Sequence, residues 1–239
     1  MNILEVENLH VFIGTFHVIQ GISFNLPADE NVALLGRNGA GKTTTLKSII
    51  GMIPARKGSI RYMGRETVGL PSYQIARMGI GYIPDTRRIF SNLTVEENLA
   101  LAMINEEKSK EERLEMVYEL FPDLRRLKNQ KGKTLSGGQQ QMLNIGRGIV
   151  SSKNRLLLID EPTEGLSPLF VKNVTDAFIR MKEQKISMLL VEGRLSLVKQ
   201  VAERYVIMSQ GKIVKTGKMD ELLENRELVK EHLGVTSLR

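Results

Sequence analysis

Short apolar runs separated by polar turns mark both ends of the chain. Residues 3–9 alternate between apolar and polar positions, residues 18–26 are apolar with a glycine break, and residues 31–36 and 155–160 are almost wholly apolar. Alternation predicts half-buried strands, and short apolar runs predict strands that are buried on both faces. The same signals predict further strands at 58–64, 79–84, 186–192 and 204–209, and another at 212–217 after a turn at Gly211.

Helical patterns occupy the middle of the chain. From residue 94 to about residue 152 the sequence is charged and helical, and Thr94 and Glu97 have the spacing of a capping box. Residues 105–115 are expected to form a solvated helical face or its connecting loop. Other helix signals are a start inside 41–51, a break at Pro122, a start at Ser167–Pro168 and two short helices after Lys218.

Strands and helices therefore alternate at both ends, with a helical block between them. This order predicts the α/β fold class, with a helical subdomain inserted into the core. We expect a single domain over residues 1–239, with its core at about 1–88 and 154–239 and the helical subdomain at about 89–153. The sequence contains no internal repeat and no low-complexity linker.

Composition narrows the class of protein. The 239 residues, 41% of them hydrophobic, are enough for one sizeable core. No run of 18 apolar residues predicts a membrane span, and the first ten residues do not predict a signal peptide. The absence of cysteine excludes disulfides and thiolate chemistry. The formal charge of +7 without a dense Lys/Arg block favours a solvated basic surface, which suits a membrane face better than nucleic acid.

A glycine-rich loop follows the predicted strand at 31–36. The spacing of its glycines and lysine matches a phosphate-binding P-loop, which lies between a strand and a helix as that template requires. Backbone N–H groups and the helix N-terminus are expected to surround phosphate, with Lys42 near the β- and γ-phosphates and the Thr43 hydroxyl on Mg²⁺. The predicted phosphate-binding residues are Gly36, Arg37, Asn38, Gly39, Ala40, Gly41, Lys42, Thr43 and Thr44.

The strand at 155–160 ends in two consecutive carboxylates. Asp160 lies where ligands bind in open α/β sheets, and we expect it to hold Mg²⁺ through water. Glu161 is not needed for the metal, so we expect it to polarise the water that attacks the γ-phosphate. Together with the P-loop, these carboxylates predict hydrolysis of a nucleoside triphosphate.

Residues 135–141, with the sequence LSGGQQQ, form a second candidate anion site. A serine and two glycines at a helix start make an anion-binding end. One γ-phosphate does not need two such sites from one chain, so this site is expected to serve the ATP of a partner subunit. Two chains would then close head to tail over two nucleotides, with contacts from Ser136, Gly137, Gly138 and Gln139.

Along the chain these three motifs follow in the order P-loop, residues 135–141 and Asp160–Glu161. In that order they resemble the ATP-binding cassette ATPases, the motor subunits of ABC transporters. The resemblance covers essentially the whole chain. It implies a RecA-like P-loop core, an antiparallel β-subdomain and the helical subdomain. It also implies ATP and Mg²⁺ as ligands, a nucleotide-sandwich dimer, and docking on two membrane-embedded permease subunits at the cytoplasmic face of the cell membrane.

Three longer phrases resemble a narrower group within this family. Residues 81–99, 134–148 and 160–168 are similar to the ATPases of branched-chain amino-acid importers, and equally to those of urea or short-amide importers. This resemblance implies an extracytoplasmic solute-binding protein in the complex. The second cassette of the dimer is either a copy of this chain or a different chain.

The loop after the predicted strand at 79–84 departs from the residue pattern of the family. Asp85 stands where most of the family has a glutamine that contacts Mg²⁺ or the attacking water, although the subgroup often has an acidic residue there. The resemblance places Asp85 at the metal. Arg87 and Arg88 follow, and we hypothesise that they help to dock the permease. Ser167 replaces an aspartate that the family presents across the dimer.

Two further departures concern the nucleotide. Ile13 stands where the family has an aromatic residue that stacks on adenine, with Phe12 and Phe16 as nearby substitutes. Gly193 stands where a histidine or glutamine contacts the γ-phosphate, and glycine has no side chain to do so. We therefore predict slower ATP hydrolysis than in a cassette that has the side chain. Arg194 is a candidate to reach the phosphate instead.

Three alternatives stay open. One is a cassette of a lipid or export system, since similar single cassettes serve there. Another is a nucleotide-binding regulatory module with weak hydrolysis, as Gly193 and Ile13 would allow. A nucleic-acid ATPase is disfavoured, because such relatives need a long coiled-coil insert or two cassettes in one chain, and only about fifty residues separate Asp85 from Ser136. We therefore expect no nucleic-acid partner.

Overall fold

A computed structural model describes residues 1–103, 109–151 and 154–233. Residues 105–108 of the predicted solvated segment and the predicted boundary at 153 lie outside these ranges. The elements are β1 (Asn2–Ile13), β2 (Phe16–Pro27), β3 (Asn31–Leu35), α1 (Lys42–Ile49), β4 (Ala55–Tyr62), β5 (Arg65–Glu66), α2 (Ser72–Arg77), β6 (Ile80–Ile83), α3 (Val95–Ala100), α4 (Lys110–Leu120), α5 (Pro122–Arg126), α6 (Gly137–Ile149), β7 (Leu156–Asp160), α7 (Pro168–Glu183), β8 (Ser187–Val191), α8 (Leu195–Val201), β9 (Arg204–Ser209), β10 (Lys212–Lys218), α9 (Met219–Glu224) and α10 (Arg226–Leu233).

A six-stranded sheet with the order β10-β9-β3-β8-β7-β6 forms the centre of the molecule. Neighbouring strands from β9 to β6 are parallel, and β10 is an antiparallel edge strand. β3, β7 and β8 are buried along their whole length, as their short apolar runs predict. Because the strands are parallel, the loops that follow β3, β6, β7 and β8 all leave the sheet at one edge.

Alternate residues of the central strands pack into two separate cores. Leu35, Ile159 and Leu190 belong to a cluster that includes the helices of the middle segment and α7. Leu34 and Leu158 belong to a cluster on the other face of the sheet, together with β1, β2 and β4. The central strands therefore hold the helical and the strand-rich layers in a fixed relation to each other.

A second sheet, with the order β2-β1-β4-β5, is antiparallel. β4 begins at Ala55, earlier than the predicted start at Gly58. Gly58 lies inside the strand at φ 98, where the register with β1 shifts. A Cβ atom there would lie 2.4 Å from the Asn8 carbonyl oxygen, so the glycine permits a close approach of two strands rather than marking a strand end.

The middle segment is helical, as predicted. Thr94 accepts a hydrogen bond from the Glu97 N–H, and the Glu97 carboxylate accepts one from the Thr94 N–H, which confirms the capping box. Pro122 begins α5 directly after α4 ends, and Ser167 precedes Pro168 at the start of α7. No helix in the described ranges is long and apolar enough to cross a membrane.

The α/β fold class is confirmed, whereas the boundaries of the helical subdomain stay a prediction. Two short helices, α2 and α8, were not predicted. Only Ile75 of α2 is buried, so its sequence carries no helical period. α8 begins two residues after Gly193 and has only seven residues, which is too short for the apolar pattern to separate it from a loop.

Asn98 organises the entry into the helical segment. Its fully buried amide oxygen accepts a hydrogen bond from the Phe90 N–H at 2.8 Å. Its amide nitrogen donates to the carbonyl oxygens of Phe90, Leu93 and Thr94 at 3.0, 3.2 and 2.9 Å. One side chain therefore satisfies the backbone of the loop that leads from β6 to α3.

We expect Asn98→Leu to lower the free energy of unfolding by about 3 kcal/mol or more, because each buried group left without a partner costs roughly 1–3 kcal/mol. Urea unfolding followed by circular dichroism measures this change. Asn25→Leu, on the exposed side of β2, is the control and should change the free energy by less than about 0.5 kcal/mol. A loss below about 1 kcal/mol for Asn98→Leu would contradict this role for the side chain.

Candidate active site

The loop between β3 and α1 has a backbone that only glycine adopts readily. Gly36 and Gly41 have φ 141 and 105. A Cβ atom would lie 2.2 Å from the Met208 carbonyl oxygen at Gly36, and 2.6 Å from the Ile19 Cδ1 atom at Gly41. The loop is therefore pressed against β9 and β2, and its backbone leads into the N-terminus of α1, where anions bind.

Lys42 supplies the positive charge of the site. Its side chain is almost fully buried, and its ammonium group donates to the carbonyl oxygens of Gly36 and Arg37 at 2.9 and 3.2 Å. The same nitrogen lies 3.9 Å from Glu161 Oε1. The folding of the loop therefore holds the cation between the predicted phosphate-binding backbone and the predicted base.

Asp160 ends β7 in a fully buried position next to α1. Its Oδ1 atom accepts a hydrogen bond from the Thr43 hydroxyl at 3.0 Å, and its Oδ2 atom accepts one from the Tyr82 hydroxyl at 3.4 Å. Tyr82 was not predicted. The sequence shows only that Tyr82 lies near the carboxyl end of an apolar strand. That position does not distinguish it from a tyrosine of the hydrophobic core.

The two predicted metal-binding carboxyl groups differ in their surroundings. Burial raises the pKa of Asp160, and the negative charge of Asp85 raises it further, while the Thr43 hydrogen bond lowers it. Asp85 itself is exposed, and its carboxylate accepts a hydrogen bond from the Thr86 N–H at 2.8 Å. A buried carboxylate beside a hydroxyl, with a second carboxylate close enough to act on it, fits a hard divalent cation, which would offset these negative charges.

Glu161 has an unusual backbone for its residue type. Its φ is 44, in the left-handed region that side chains other than glycine rarely adopt, and its N–H donates to the Val191 carbonyl oxygen at 2.8 Å. Burial raises the pKa of its carboxyl group, Lys42 lowers it, and the charges of Glu164 and Asp160 raise it. A raised carboxyl pKa suits a group that must accept a proton near neutral pH.

Lys42, Thr43 and Glu161 line one cavity of about 270 Å³. It is lined by Val18, Asn38, Gly39, Gly41, Lys42, Thr43, Thr44 and Glu161. Ligand cavities commonly measure about 300–1,000 Å³, so this volume suits the phosphate part of a nucleotide better than the whole molecule. The base and sugar must lie at its margin, and Val18 of β2 indicates on which side.

The tip of the β1–β2 hairpin separates the candidate adenine contacts. Phe16 and Val18 share one face of β2 because side chains alternate along a strand, and Ile13 pairs with Phe16. Ile13 and Phe16 are 48% and 77% exposed. Phe12 instead stacks on His17, with ring centroids 4.2 Å apart, on the face opposite Val18. Phe12 therefore lies on the face of the hairpin opposite Val18, while Ile13 and Phe16 lie on the same face as Val18, and the adenine contact stays a prediction.

The second anion site begins α6. The Ser136 hydroxyl accepts a hydrogen bond from the Gln139 N–H, and the Gln139 side chain accepts one from the Ser136 N–H. Ser136 and Gly137 are exposed, whereas Gly138 is buried. A Cβ atom at Gly138 would lie 2.4 Å from the Phe170 ring, so this glycine is required for the packing of α7 on α6.

This second site does not share the P-loop cavity. Among the described residues that line that cavity, none comes from 135–141. Ser136 and Gly137 therefore present an exposed helix start that their own chain does not use at its P-loop. Arg87 lies beside this start, since a Cβ atom at Gly137 would be 2.7 Å from Arg87 Nη1.

Comparison with known proteins agrees with this geometry. The family described as ABC transporter matches residues 19–164, more than half of the chain. The high-affinity branched-chain amino acid transport ATP-binding protein BraG of Pseudomonas aeruginosa is 37% identical over 97% of this chain and 99% of its own. The lipopolysaccharide export system ATP-binding protein LptB of Escherichia coli strain K12 is 31% identical over 98% of this chain and 98% of its own.

The chain belongs to the ABC transporter family. As a member, it is an ATPase. A nucleotide-free ATP-binding cassette from an ABC transporter shares its fold, with a TM-score of 0.84 at 24% identity over 99% of this chain and 100% of the other. An ATP-binding subunit of an ABC transporter gives a TM-score of 0.81 at 28% identity, over 95% of this chain and 94% of its own.

Gly193 of this ABC ATPase follows β8 at the sheet edge where the nucleotide loop lies. A Cβ atom there would meet nothing within 4 Å, and the backbone has no left-handed φ. The position therefore has room for a side chain that the sequence does not supply. Arg194 is exposed, and its N–H donates to Glu192 Oε1 at 2.9 Å. The structure does not bring Arg194 into the P-loop cavity.

A larger groove, of about 420 Å³, lies between the core and the helical segment of this ABC ATPase. It is lined by Lys47, Ile50, Met52, Ser72, Tyr73, Ala76, Ile80, Tyr82, Pro84, Asp85, Thr86, Arg88, Ala102, Asn144, Arg147 and Gly148. Met52 and Tyr73 are large apolar residues that stay exposed there. Arg88 lines this groove as the docking hypothesis expects, whereas Arg87 points towards Gly137 and lies 3.5 Å from the Glu164 carbonyl oxygen.

We expect Gly41→Ala to weaken ATP binding at least about tenfold, because φ 105 is strained for alanine and the loop or the Ile19 side chain must shift to admit the Cβ atom, which disturbs the direction of the loop N–H groups. Isothermal titration calorimetry measures the affinity. Gly64→Ala is the matched control, since Gly64 also has a positive φ, 76, but meets nothing within 4 Å in a remote turn. Equal affinity in both variants would show that the close packing of the loop is not needed.

Proposed function

We propose that this ABC ATPase drives an importer for branched-chain amino acids or a related small amide such as urea. ATP hydrolysis is supported by one observation. The side chains that would carry it lie together at one edge of the sheet, namely Lys42, Thr43, Asp160 and Glu161. The 37% identity with BraG over nearly the whole chain supports the importer part.

ATP would bind with its phosphates in the P-loop cavity. The backbone from Gly36 to Thr44 would donate to the phosphate oxygens, and Lys42 would exchange its carbonyl contacts for the β- and γ-phosphates. Mg²⁺, held by Thr43 and Asp160 with Asp85 nearby, would neutralise charge that develops on the γ-phosphoryl group. Catalysis then comes mainly from positioning and charge stabilisation.

Glu161 would act as the general base. The left-handed backbone of Glu161 and its hydrogen bond to Val191 fix the position from which the side chain extends. The Lys42 ammonium lies 3.9 Å from the carboxylate. A water between the carboxylate and the γ-phosphate would lose a proton to Glu161 as it attacks. The raised pKa of the carboxyl group makes this transfer more favourable than at an ordinary glutamate.

The active site would be completed by a second cassette. Exposed Ser136 and Gly137, with half-buried Gln139, form a helix start that does not line the P-loop cavity of their own chain. We infer that they contact the γ-phosphate bound to the partner cassette, which is a second copy or a related chain. ATP binding would then close the dimer, and hydrolysis would reopen it.

The groove between the core and the helical segment would receive a short helix of one permease subunit, and the second cassette would receive that of the other permease. Its exposed apolar residues Met52 and Tyr73, with Arg88 and Arg147 beside them, suit an amphipathic helix that carries acidic residues. Asp85 belongs both to this groove and to the electrostatic surroundings of Asp160. This shared residue would connect the metal site with the permease at the cytoplasmic face of the membrane.

Export of lipopolysaccharide or another lipid is the second candidate function. The observation that favours it is the 31% identity with LptB over 98% of both chains. Reconstitution of the chain with the permeases encoded beside it decides between the two. Stimulation of ATP hydrolysis by a binding protein loaded with leucine or urea supports import, and stimulation by lipopolysaccharide alone contradicts it.

We expect Glu161→Gln to lower kcat for phosphate release by at least about 100-fold and to retain ATP binding, because the amide cannot accept the proton. Phosphate release with Mg-ATP measures turnover, and calorimetry measures binding. Glu183→Gln, an exposed residue at the end of α7, removes the same charge and should leave kcat unchanged. Native turnover in Glu161→Gln would contradict its role as the base.

Tight binding of ATP without turnover in the native chain, even with its permeases, would favour the regulatory alternative.

We expect Gly193→Gln to raise kcat several-fold, because a side chain there can contact the γ-phosphate and the structure has room for it. The same assay of phosphate release measures this. Gly193→Ala places a Cβ atom in the same open space without a polar group, so it should leave kcat near the native value. Equal turnover in all three proteins would show that hydrolysis does not depend on this position.

A further inference from the structure

A buried carboxylate connects the loops that follow β7 and β8. Glu192 is only 5% exposed, and Thr163 is fully buried. Glu192 Oε2 accepts a hydrogen bond from the Thr163 hydroxyl at 2.5 Å, and Glu192 Oε1 accepts one from the Arg194 N–H at 2.9 Å. One side chain therefore holds both loops at the edge of the sheet where ATP binds.

The Thr163 contact lies close to the proposed base. Glu161 and Thr163 belong to the same turn, in which the Glu164 N–H donates to the Glu161 carbonyl oxygen and the Leu166 N–H donates to the Thr163 carbonyl oxygen. The Glu161 N–H is itself bonded to Val191, the last residue of β8. Val191 and Glu192 thus hold two points of this turn, one through the backbone and one through a side chain.

The Arg194 contact lies beside the glycine that departs from the family pattern. Gly193 contributes no side chain to the phosphate site, so the position of this loop depends on its backbone. Glu192 fixes that backbone by accepting from the Arg194 N–H. It therefore holds the two sides of residue 193 in place, although residue 193 itself makes no side-chain contact.

Packing alone does not account for a carboxylate at this place. Among the described residues, the hydrogen-bond partners of Glu192 are the Thr163 hydroxyl and the Arg194 backbone N–H, which are both neutral. Burial of a carboxylate without a cationic partner is costly. An apolar side chain of similar length would fill the same space at lower cost. What the carboxylate adds is two acceptor atoms that join two loops.

We propose that Glu192 is a positioning residue for ATP hydrolysis. Through Thr163 it fixes the turn that carries Glu161, and through the Arg194 N–H it fixes the loop at Gly193, so that the base and the loop keep a constant separation across the γ-phosphate site. This inference rests on the proposed role of Glu161. Glu192 is not among the residues that line the P-loop cavity, so it acts through the two loops.

The test compares variants that remove or keep the hydrogen bonds. Glu192→Met keeps the length of the side chain but has no oxygen, and Thr163→Val keeps the shape but has no hydroxyl. We expect each to lower kcat about tenfold, with the KM for ATP within about twofold, because misplacement affects the transition state more than binding. Glu192→Gln still bonds both loops, since Thr163 can accept from its amide, and Thr163→Ser keeps the hydroxyl. Both should recover most of the native kcat.

The double variant Glu192→Met/Thr163→Val adds a further criterion. If the two residues act through their shared hydrogen bond, its kcat should be no lower than that of the worse single variant, whereas independent effects would multiply. The values are expressed per nucleotide-binding site measured by calorimetry, so a loss of folded protein does not count as a loss of kcat. If Glu192→Met does not fold, Thr163→Val and Thr163→Ser still form a complete comparison.

Two outcomes overturn the proposal. Native kcat per binding site in both Glu192→Met and Thr163→Val, even with a lower melting temperature, would show that the contact serves stability alone. A loss in Thr163→Ser as large as in Thr163→Val would show that the hydroxyl is not what matters. Glu161→Gln is assayed in parallel. If it stops turnover, these outcomes count against Glu192 alone, and if it retains turnover, the proposed function and this inference both fail.

Discussion

β3, β8 and β7 lie side by side in parallel, so the loops after them leave the sheet at one edge. The first loop brings the P-loop and Lys42, the last brings Asp160 and Glu161, and the middle one brings Glu192 and Gly193. No pair of these loops is close in sequence. The pairing of the three strands, buried on both faces by two hydrophobic cores, is what makes them neighbours.

The charges at this edge are unbalanced in a way that suits a triphosphate with its cation. Burial raises the pKa of both Asp160 and Glu161, which means that the ionised forms lack full compensation from the protein. Lys42 is a buried cation whose ammonium lies 3.9 Å from Glu161, and it also donates to carbonyl oxygens of its own loop. A divalent cation near Asp160 would compensate its negative charge, and phosphates near Lys42 would compensate its positive charge. Binding of the cation and binding of the phosphates would therefore favour each other.

Much of the fold was visible in the sequence because the signals were local. The apolar runs of β3 and β7, the capping box at Thr94 and the glycine spacing of the P-loop each depend on a few adjacent residues. What the sequence could not predict depends on contacts across the fold. The hydrogen bond from Tyr82 to Asp160, the packing of Gly138 on Phe170 and the position of Phe12 on the far face of the hairpin all join distant segments.

The proposed nucleotide-sandwich dimer requires two different chains to use the two candidate anion sites. Since the chain has no cysteine, Asn38→Cys and Gly137→Cys can be introduced into separate copies that also carry Glu161→Gln. The measurement is disulfide formation between the two copies with and without Mg-ATP. The proposed nucleotide-sandwich dimer predicts a cross-link between Asn38→Cys and Gly137→Cys chains that requires ATP. It predicts a far lower yield of cross-link between two copies of either variant alone. A cross-link of equal yield without ATP, or one that forms equally between two Asn38→Cys chains, would contradict it.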